Sequence, residues 1–295
     1  MIALLNDALR EAHGDLVARM DADDVAHPDR LAEQVAFLDS NPQIAVADSR
    51  VAWLGAEFAA GGPAHARERS SSEGMRLYID WLNGLASGER GGGQSHEAIA
   101  RDIFVESPLV HPAVMARRDT VIAAGGYREG AFPEDYDLWL RLFLAGHRFA
   151  KLPRVLLEWR DHAARLTRTS ARYSLEAFAA LKRDALWALE GDVLAAGTTI
   201  VWGAGGGGRA WRRWLREHGV TPAFLVDIDA RKIGRSLSGA PVRAPDALTA
   251  HPWDYLLVVV AARGARDEIR AYLAREGFTD IERRAVHGKR IRFVQ

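Results

Sequence analysis

Apolar side chains recur along this chain in two successive helix-and-strand patterns. Leu4, Leu5, Ala8 and Leu9 lie at helical spacing within residues 2–12, and Gly14 stops that helix. Residues 16–20 then form a short apolar run of the buried-strand type. Residues 30–38 predict a helix with Leu31, Val35 and Leu38 on one face, closed by Asn41-Pro42. Residues 44–47 and 50–54 read as strands, and Gly61-Gly62-Pro63 opens a polar loop. Residues 75–85 predict an aromatic-bearing helix, and glycine-rich 87–95 an excursion rather than an element. Strand character returns at 110–117, a turn at Gly125-Gly126-Tyr127, and a strongly amphipathic helix at 135–145 with Leu138, Trp139, Leu142 and Phe143 inward.

The pattern then restarts. A helix over 175–189 ends at Gly191 and leads to a strand (199–202), a glycine turn (203–208), a helix (209–217) and a strand (223–226). The continuous apolar run 256–261 is typical of a central parallel strand, and 266–275 is the helix after it. The expected architecture is α/β in two domains, residues 1–170 and 196–295, joined by a helical connector over 171–195.

Composition changes this picture little. The 295 residues are 48% hydrophobic and 26% charged, an ordinary composition for globular domains with real cores. The 39 basic and 39 acidic residues balance, so no global field points to nucleic acid. Cysteine is absent, which excludes disulfides and thiolate metal sites. No apolar run is long enough to span a bilayer. The expectation is a cytoplasmic protein, at the inner face of the membrane if it meets one, with peripheral contact only.

Candidate chemistry is concentrated in carboxylates. The strand at 16–20 ends in Asp21-Ala22-Asp23-Asp24. Three anions so close repel one another unless a divalent cation or positive donors share the site. Aspartate is also common where strands turn into loops, and that reading stays open. A second acidic group, Glu134-Asp135-Tyr136-Asp137, opens the 135–145 helix. There it either complements free N–H groups of the helix or supplies a base for a hydroxyl. His162 is a metal ligand or a surface histidine, and Arg160 a phosphate contact or the ion-pair partner of Glu158 or Asp161.

The order of these motifs resembles family 2 glycosyltransferases of the GT-A fold over roughly residues 1–170. The resemblance rests on Ala18-Arg19-Met20-Asp21-Ala22-Asp23-Asp24, Pro28-Asp29-Arg30-Leu31 with Gln34, His111-Pro112, Gly125-Gly126-Tyr127, Glu134-Asp135-Tyr136-Asp137-Leu138-Trp139 and Arg160-Asp161-His162. It implies a nucleotide-sugar donor over a Mg or Mn ion, a glycan or lipid-linked acceptor, and transfer with inversion in surface polysaccharide synthesis. Carried onto this chain, Asp21 and Asp23 form the DxD pair, Asp23 touches the metal and Asp24 orients the site. Asp135 is the general base with Glu134 beside it, Arg160 helps hold the donor, and His162 is a further metal contact. His111 and Trp139 line or support the site. The family's nucleoside-binding strand–helix–strand half has no counterpart ahead of Leu5-Asn6. The resemblance therefore implies an N-terminally truncated transferase domain with an exposed apolar sheet edge and weak or absent catalysis. A catalytically impaired sugar-nucleotide-binding or scaffold protein is the alternative reading.

In the second domain Gly203, Gly205 and Gly208 fit G-x-G-x-x-G between a strand and a helix. Backbone N–H groups of such a turn receive a phosphate, or its glycines simply let strand and helix pack closely. Asp227 ends the next strand, where an acidic residue holds a ribose hydroxyl in dinucleotide folds. Residues 198–290, with Asp227-Ile228-Asp229, Gly239-Ala240-Pro241-Val242 and Pro245, resemble the Rossmann-like domains beside sugar O-acyltransferases and some sugar C-methyltransferases. Some of those domains bind sugar nucleotides and others are structural. The glycine turn alone also admits an NAD(P)-linked enzyme.

Overall fold

The computed structural model describes residues 1–54, 66–86, 95–161, 165–278 and 289–294, with side chains from residue 73 onward in the helix that opens at residue 66. The loop expected at 61–63 and the glycine excursion lie outside the described residues, apart from Ser95 at its far end. The chain forms two compact units, Met1–Ile103 with Ser107–Leu181, and Phe104–Glu106 with Lys182–Gln295. Both are α/β.

The first unit contains α1 (Ile2–Glu11), β1 (Leu16–Ala18), β2 (Val25–Ala26), α2 (Arg30–Ser40), β3 (Ile44–Leu54), α3 (Ala66–Gly84) and α4 (Ser95–Asp102). It continues with β4 (Met115–Arg117), α5 (Arg118–Ala123), α6 (Glu134–Leu144), β5 (Arg148–Arg160), α7 (Leu166–Thr169) and the start of α8 (Leu175–Ala196). Its sheet runs β1-β4-β3-β5-β2. Strands β3 and β5 are parallel; β4 is antiparallel to β1 and β3, and β2 to β5. The core beneath it gathers Leu38, Ile44, Ala47, Met115, Ala150, Leu152 and Leu156.

Three local expectations change here, each for a physical reason. The strands expected at 44–47 and 50–54 are one strand. Asp48 and Ser49 break the apolar pattern, yet both are fully buried, because the Asp48 carboxylate pairs with the Lys151 ammonium and accepts Val110 N–H at 3.0 Å. Helix α2 turns its polar row inward: Arg30, Gln34 and Leu38 are buried, whereas Leu31 is 58% exposed. Residues 110–117 are not a single strand, since His111–Ala113 form a 3-10 turn before β4. Pro112 has no N–H to give a ladder.

The second unit contains the rest of α8, β6 (Thr199–Trp202), α9 (Gly206–Glu217), β7 (Leu225–Val226), β8 (Ser236–Leu237) and β9 (Ala240–Arg243). It ends with α10 (Ala247–Ala250), β10 (Tyr255–Val258), α11 (Ala265–Arg275) and β11 (Arg290–Phe293). The sheet order is β11-β10-β6-β7-β9-β8, parallel throughout except for the β8–β9 hairpin. Successive strands step from β6 through β7 to β9, and the chain then returns to place β10 on the other side of β6. Such a reversal leaves a crevice at the carboxyl ends of the strands. Ile200, Trp202, Val226, Leu256, Val258, Ile291 and Phe293 fill the core. The apolar run 256–261 is strand only to Val258; Val259 to Ala261 line that crevice.

Candidate active site

In the first unit, β1 delivers Arg19 and Met20 to a tight turn closed by Asp24 N–H donating to Asp21 C=O at 3.3 Å. The turn brings one carboxylate oxygen from each of Asp21, Asp23 and Asp24 within 4.8 Å of the others. Helix α2 explains why β1 ends there. Arg30 donates from Nη2 to Arg19 C=O at 2.7 Å and to Val114 C=O at 3.3 Å, and from Nε to Gln34 Oε1 at 3.1 Å. Gln34, one helical turn on, donates to Ala47 C=O and Ala113 C=O. This buried bridge ties β1, β3 and β4 together at the point where the acidic turn begins.

The three aspartates sit in different surroundings. Asp23 is exposed, Asp21 is held by Arg19 Nη2 at 2.6 Å, and Asp24 is buried. Asp24 Oδ1 accepts the Arg160 N–H at 2.9 Å, while Asp24 Oδ2 is buried with no hydrogen-bond partner among the described residues. Burial, with the charges of Asp21 and Asp23 and against the Arg160 N–H, pushes the Asp24 carboxyl up to about 6. A clustered, under-satisfied carboxylate set of this kind suits a hard divalent cation, which takes oxygen ligands and removes the mutual repulsion. The donor set therefore fits Mg or Mn.

Helix α6 supplies the second acidic group, and its carboxylates divide the work. Asp137 is buried between Arg128 and Arg141, the latter at 2.8 Å. Glu134, also buried, accepts the Tyr173 hydroxyl at 2.7 and 2.9 Å and lies 3.5 Å from Arg172. Among the described residues Asp135 has no such partner; its side chain accepts Tyr136 N–H at 2.8 Å. Burial first, then the neighbouring Glu134 charge, raises its pKa to about 7. Asp135 thus also satisfies a free N–H of the first turn of the helix. The N-cap is Pro133, with no side-chain bond.

Arg19 is within electrostatic reach of both acidic groups. Its guanidinium pairs with Asp21, and its charge also acts on Asp135, Tyr127 and His111. Burial holds His111 well below the usual histidine range, so it is neutral, with Nε2 2.8 Å from the Tyr127 hydroxyl. Tyr127 is placed by Asn6, which exchanges two hydrogen bonds with its main chain at 2.8 and 2.9 Å. Trp139 meets the His111 ring edge-on at 6.0 Å.

In the stretch that begins Arg160-Asp161 the described contacts are made by the Arg160 main chain and the Asp161 side chain. Arg160 meets Asp24 through its main chain, and its side chain is exposed. Asp161 is buried and holds Arg168 at 2.5 Å and Arg165 at 3.8 Å. Arg165 stacks on Trp159, 4.3 Å from the ring centroid, and its charge reaches Asp24, Asp21 and Asp23. His162 lies outside the described residues. Reasoning from sequence gave no role to Arg19, Arg165 or Tyr173. Arg19 and Asp21 pair across the turn beyond β1, which strand periodicity does not foretell, and nothing in the sequence marks Arg165.

The glycines and aspartate of the second unit lie around its crevice. A Cβ on Gly203 (φ +131°) would come within 2.8 Å of the Val259 side chain, and one on Gly208 within 2.2 Å of Gly203 C=O. Those two glycines are demanded by packing. A Cβ on Gly205 would meet only Lys232 Nζ, at 3.9 Å. Asp227 accepts Ala204 N–H at 3.1 Å, Asp229 N–H at 2.9 Å and Lys232 Nζ at 2.9 Å.

The family model described as Glycosyl transferase family 2 matches residues 1–89, which include the acidic turn. The chain is 32% identical over 156 residues to the amylovoran biosynthesis glycosyltransferase AmsE of Erwinia amylovora, covering 53% of this chain and 48% of AmsE. It is 27% identical over 171 residues to the O-antigen biosynthesis glycosyltransferase WbnJ of Escherichia coli, covering 57% of this chain and 56% of WbnJ. The chain therefore spans about half the length of these curated relatives, which are named glycosyltransferases of polysaccharide biosynthesis. A solved mannosyltransferase, PcManGT from Pyrobaculum calidifontis in complex with GDP-Man and Mn2+, aligns with 65% of this chain and 43% of its own at TM-score 0.36 and 16% identity. That level of likeness carries no argument about the site. Among the described residues no helix is long and apolar enough to cross a membrane.

Proposed function

We propose that the first unit, residues 1–170 in the main, is a metal-dependent inverting glycosyltransferase domain of the GT-A type. It moves a sugar from a nucleotide-sugar donor to a hydroxyl of a glycan or lipid-linked acceptor in surface polysaccharide synthesis. The observation that supports this reading is Arg19, which pairs with Asp21 at 2.6 Å and whose charge also acts on Asp135. The glycosyltransferase names of the relatives support it independently.

Asp21, Asp23 and Asp24 would hold a Mg or Mn ion, which when bound neutralises charge growing on the departing diphosphate. Asp135 takes the proton of the acceptor hydroxyl. The acceptor oxygen then bonds to the anomeric carbon from the face opposite the leaving group, as the bond from that carbon to the diphosphate oxygen breaks with its electron pair. A carboxylate near pKa 7 is well matched to this task, because it is ionised at working pH yet basic enough to accept the proton. Buried Glu134 keeps Asp135 basic by its charge. Arg19 and Arg165 hold the acidic turn in shape.

The test is transfer of labelled sugar from UDP- and GDP-sugars with Mn, read beside donor-induced thermal stabilisation. Stabilisation and transfer should both require Asp23, and transfer alone should require Asp135. Stabilisation that depends on Asp23 without any transfer to glycan or lipid-linked acceptors would leave a donor-binding or scaffold protein. Absence of both would remove the reading altogether.

A further inference from the structure

Glu134 and Asp135 are neighbours on α6, yet Glu134 is buried and Asp135 is partly exposed. Successive side chains of a helix point about 100° apart, so one of the pair turns to the interior and the other to the surface. What covers Glu134 is the 3-10 turn Ala171–Tyr173. The Tyr173 hydroxyl lies 2.9 Å from Glu134 Oε1 and 2.7 Å from Oε2, so its one proton serves either oxygen. Arg172 adds a charge, with Nη1 3.5 Å from Glu134 Oε2 and Nη2 donating to Gly130 C=O at 3.2 Å and to Glu129 at 3.3 Å. Directly after the turn, Phe178 of α8 meets Tyr136 of α6 with ring centres 5.8 Å apart, which seats this segment on the helix.

A carboxylate taken out of water keeps its charge when donors replace the water. Tyr173 and Arg172 do this for Glu134. Burial, then the bond to Glu134, pushes the Tyr173 hydroxyl above the usual tyrosine range, so it stays a donor at working pH. Asp135 accepts main-chain N–H, and the charged and titratable groups around it are Glu134 on its own helix, Arg19 beyond β1, Tyr127 in the turn after α5 and Tyr173. Two adjacent carboxylates that share one proton divide unequally. The one better served by donors stays ionised, and the other becomes the more basic.

We propose that Tyr173, with Arg172 beside it, is a positioning residue for the base: it keeps the charge on Glu134 and so leaves the shared proton to Asp135. Tyr173 acts through Glu134 rather than on substrate. The inference rests on the reading of Asp135 as the base, and it adds a residue outside both acidic groups that sets the pH range of transfer.

Carboxyl 13C titration of the whole chain, labelled at aspartate, reads the proton on Asp135 without any transfer, its signal assigned by its loss in Asp135→Asn. Tyr173→Phe should lower the Asp135 midpoint by about one pH unit, a tenfold loss of proton affinity, because Glu134 without its donor takes the proton. Glu134→Gln removes the charge and keeps an acceptor for the hydroxyl, and it should lower the midpoint at least as far. This variant also tests the route if Tyr173→Phe does not fold. With Glu134→Gln in place, Tyr173→Phe should move the midpoint no further. A purely structural Tyr173 would change the melting temperature and leave the midpoint where it is. The proposal is overturned if the midpoint in Tyr173→Phe equals or exceeds that of the parent chain, if Glu134→Gln leaves it unmoved, or if Tyr173→Phe lowers it equally in the Glu134→Gln background. The acid limb of kcat/KM for transfer should follow the midpoint downward. A midpoint that moves while the limb stays would uphold the pairing and remove Asp135 as the base.

Discussion

Asp24, in the turn between β1 and β2, and Asp227, directly after β7, are both buried carboxylates beside strands, and the protein treats them in opposite ways. Among the described residues Asp24 keeps one oxygen with no partner, and burial, added to by two further aspartates, raises its pKa to about 6. Asp227 receives two main-chain N–H groups and an ammonium. The first arrangement is under-satisfied without an added cation, which is a state that ligand binding relieves. The second is already closed and holds a turn. A carboxylate at a strand end is thus informative about ligands only through the acceptor capacity its neighbours leave over.

The comparison breaks most directly in a transfer assay. Asp135→Asn should lower kcat/KM by about 10³-fold or more, the upper range for loss of a general base, with donor binding retained. Asp23→Ala should lower it comparably while also removing Mn-dependent thermal stabilisation by donor. Asp227→Asn should leave transfer untouched. Equal sensitivity to Asp227 and Asp23 would erase the distinction drawn between the two strand ends.

Next in size are effects on folding. Gly208→Ala should destabilise the second unit by about 2–3 kcal/mol in urea unfolding, because the new methyl meets Gly203 C=O in a packed strand–helix contact. Gly205→Ala should stay within about 0.5 kcal/mol, as for an unencumbered surface change. In the first unit Arg30→Met strips a buried donor from Arg19 C=O and Val114 C=O, and should cost about 2 kcal/mol. Because those carbonyls fix the strand that carries the acidic turn, the same variant should raise KM for donor at temperatures where it remains folded.

Much of this was legible before any coordinates. The restart of the apolar pattern near residue 198 announced a second α/β unit, and an apolar strand ending in Asp21-Ala22-Asp23-Asp24 announced the acidic turn. The errors share a cause. Asp48, Arg30 and Gln34 are polar residues that the fold buries by pairing them, so a reading that sends polar side chains outward split β3 in two and rotated α2. Their partners, Lys151, Arg19 C=O and Ala113 C=O, are 103, 11 and 79 residues away in the chain. Periodicity, which is local, carries no signal of such pairings. The same limit explains Glu134, whose burial under Tyr173 could not be seen from its neighbours, and Arg165, which reaches the acidic turn by stacking on Trp159. A family resemblance supplied roles for Asp23 and Asp135 that residue patterns alone had left open. It could not say that Arg160 would meet Asp24 by its main chain.

A smaller predicted effect sharpens the contrast furthest, because it sets stability against activity in one residue. Asp135 ordinarily titrates at 3.8 and is raised to about 7 in the folded chain, so the folded state holds its proton more tightly than the unfolded state does. Its contribution is then neutral below pH 4, becomes a growing loss of stability between pH 4 and 7, and is complete above pH 7. A shift of about three units corresponds to about 4 kcal/mol at most, and the partial access of Asp135 to solvent reduces this to about 1–2 kcal/mol. Asp135→Asn should therefore be more stable than the parent chain by that amount at pH 8, and indistinguishable from it below pH 4. Transfer by the parent chain should rise with pH over the same interval, through an apparent pKa near 7. Asp227→Asn should show no such gain at pH 8, since it takes an acceptor away from two main-chain N–H groups and an ammonium. A pH-independent difference between Asp135→Asn and the parent would mean that the carboxylate is ionised throughout, and that Glu134 and burial do not make it the base.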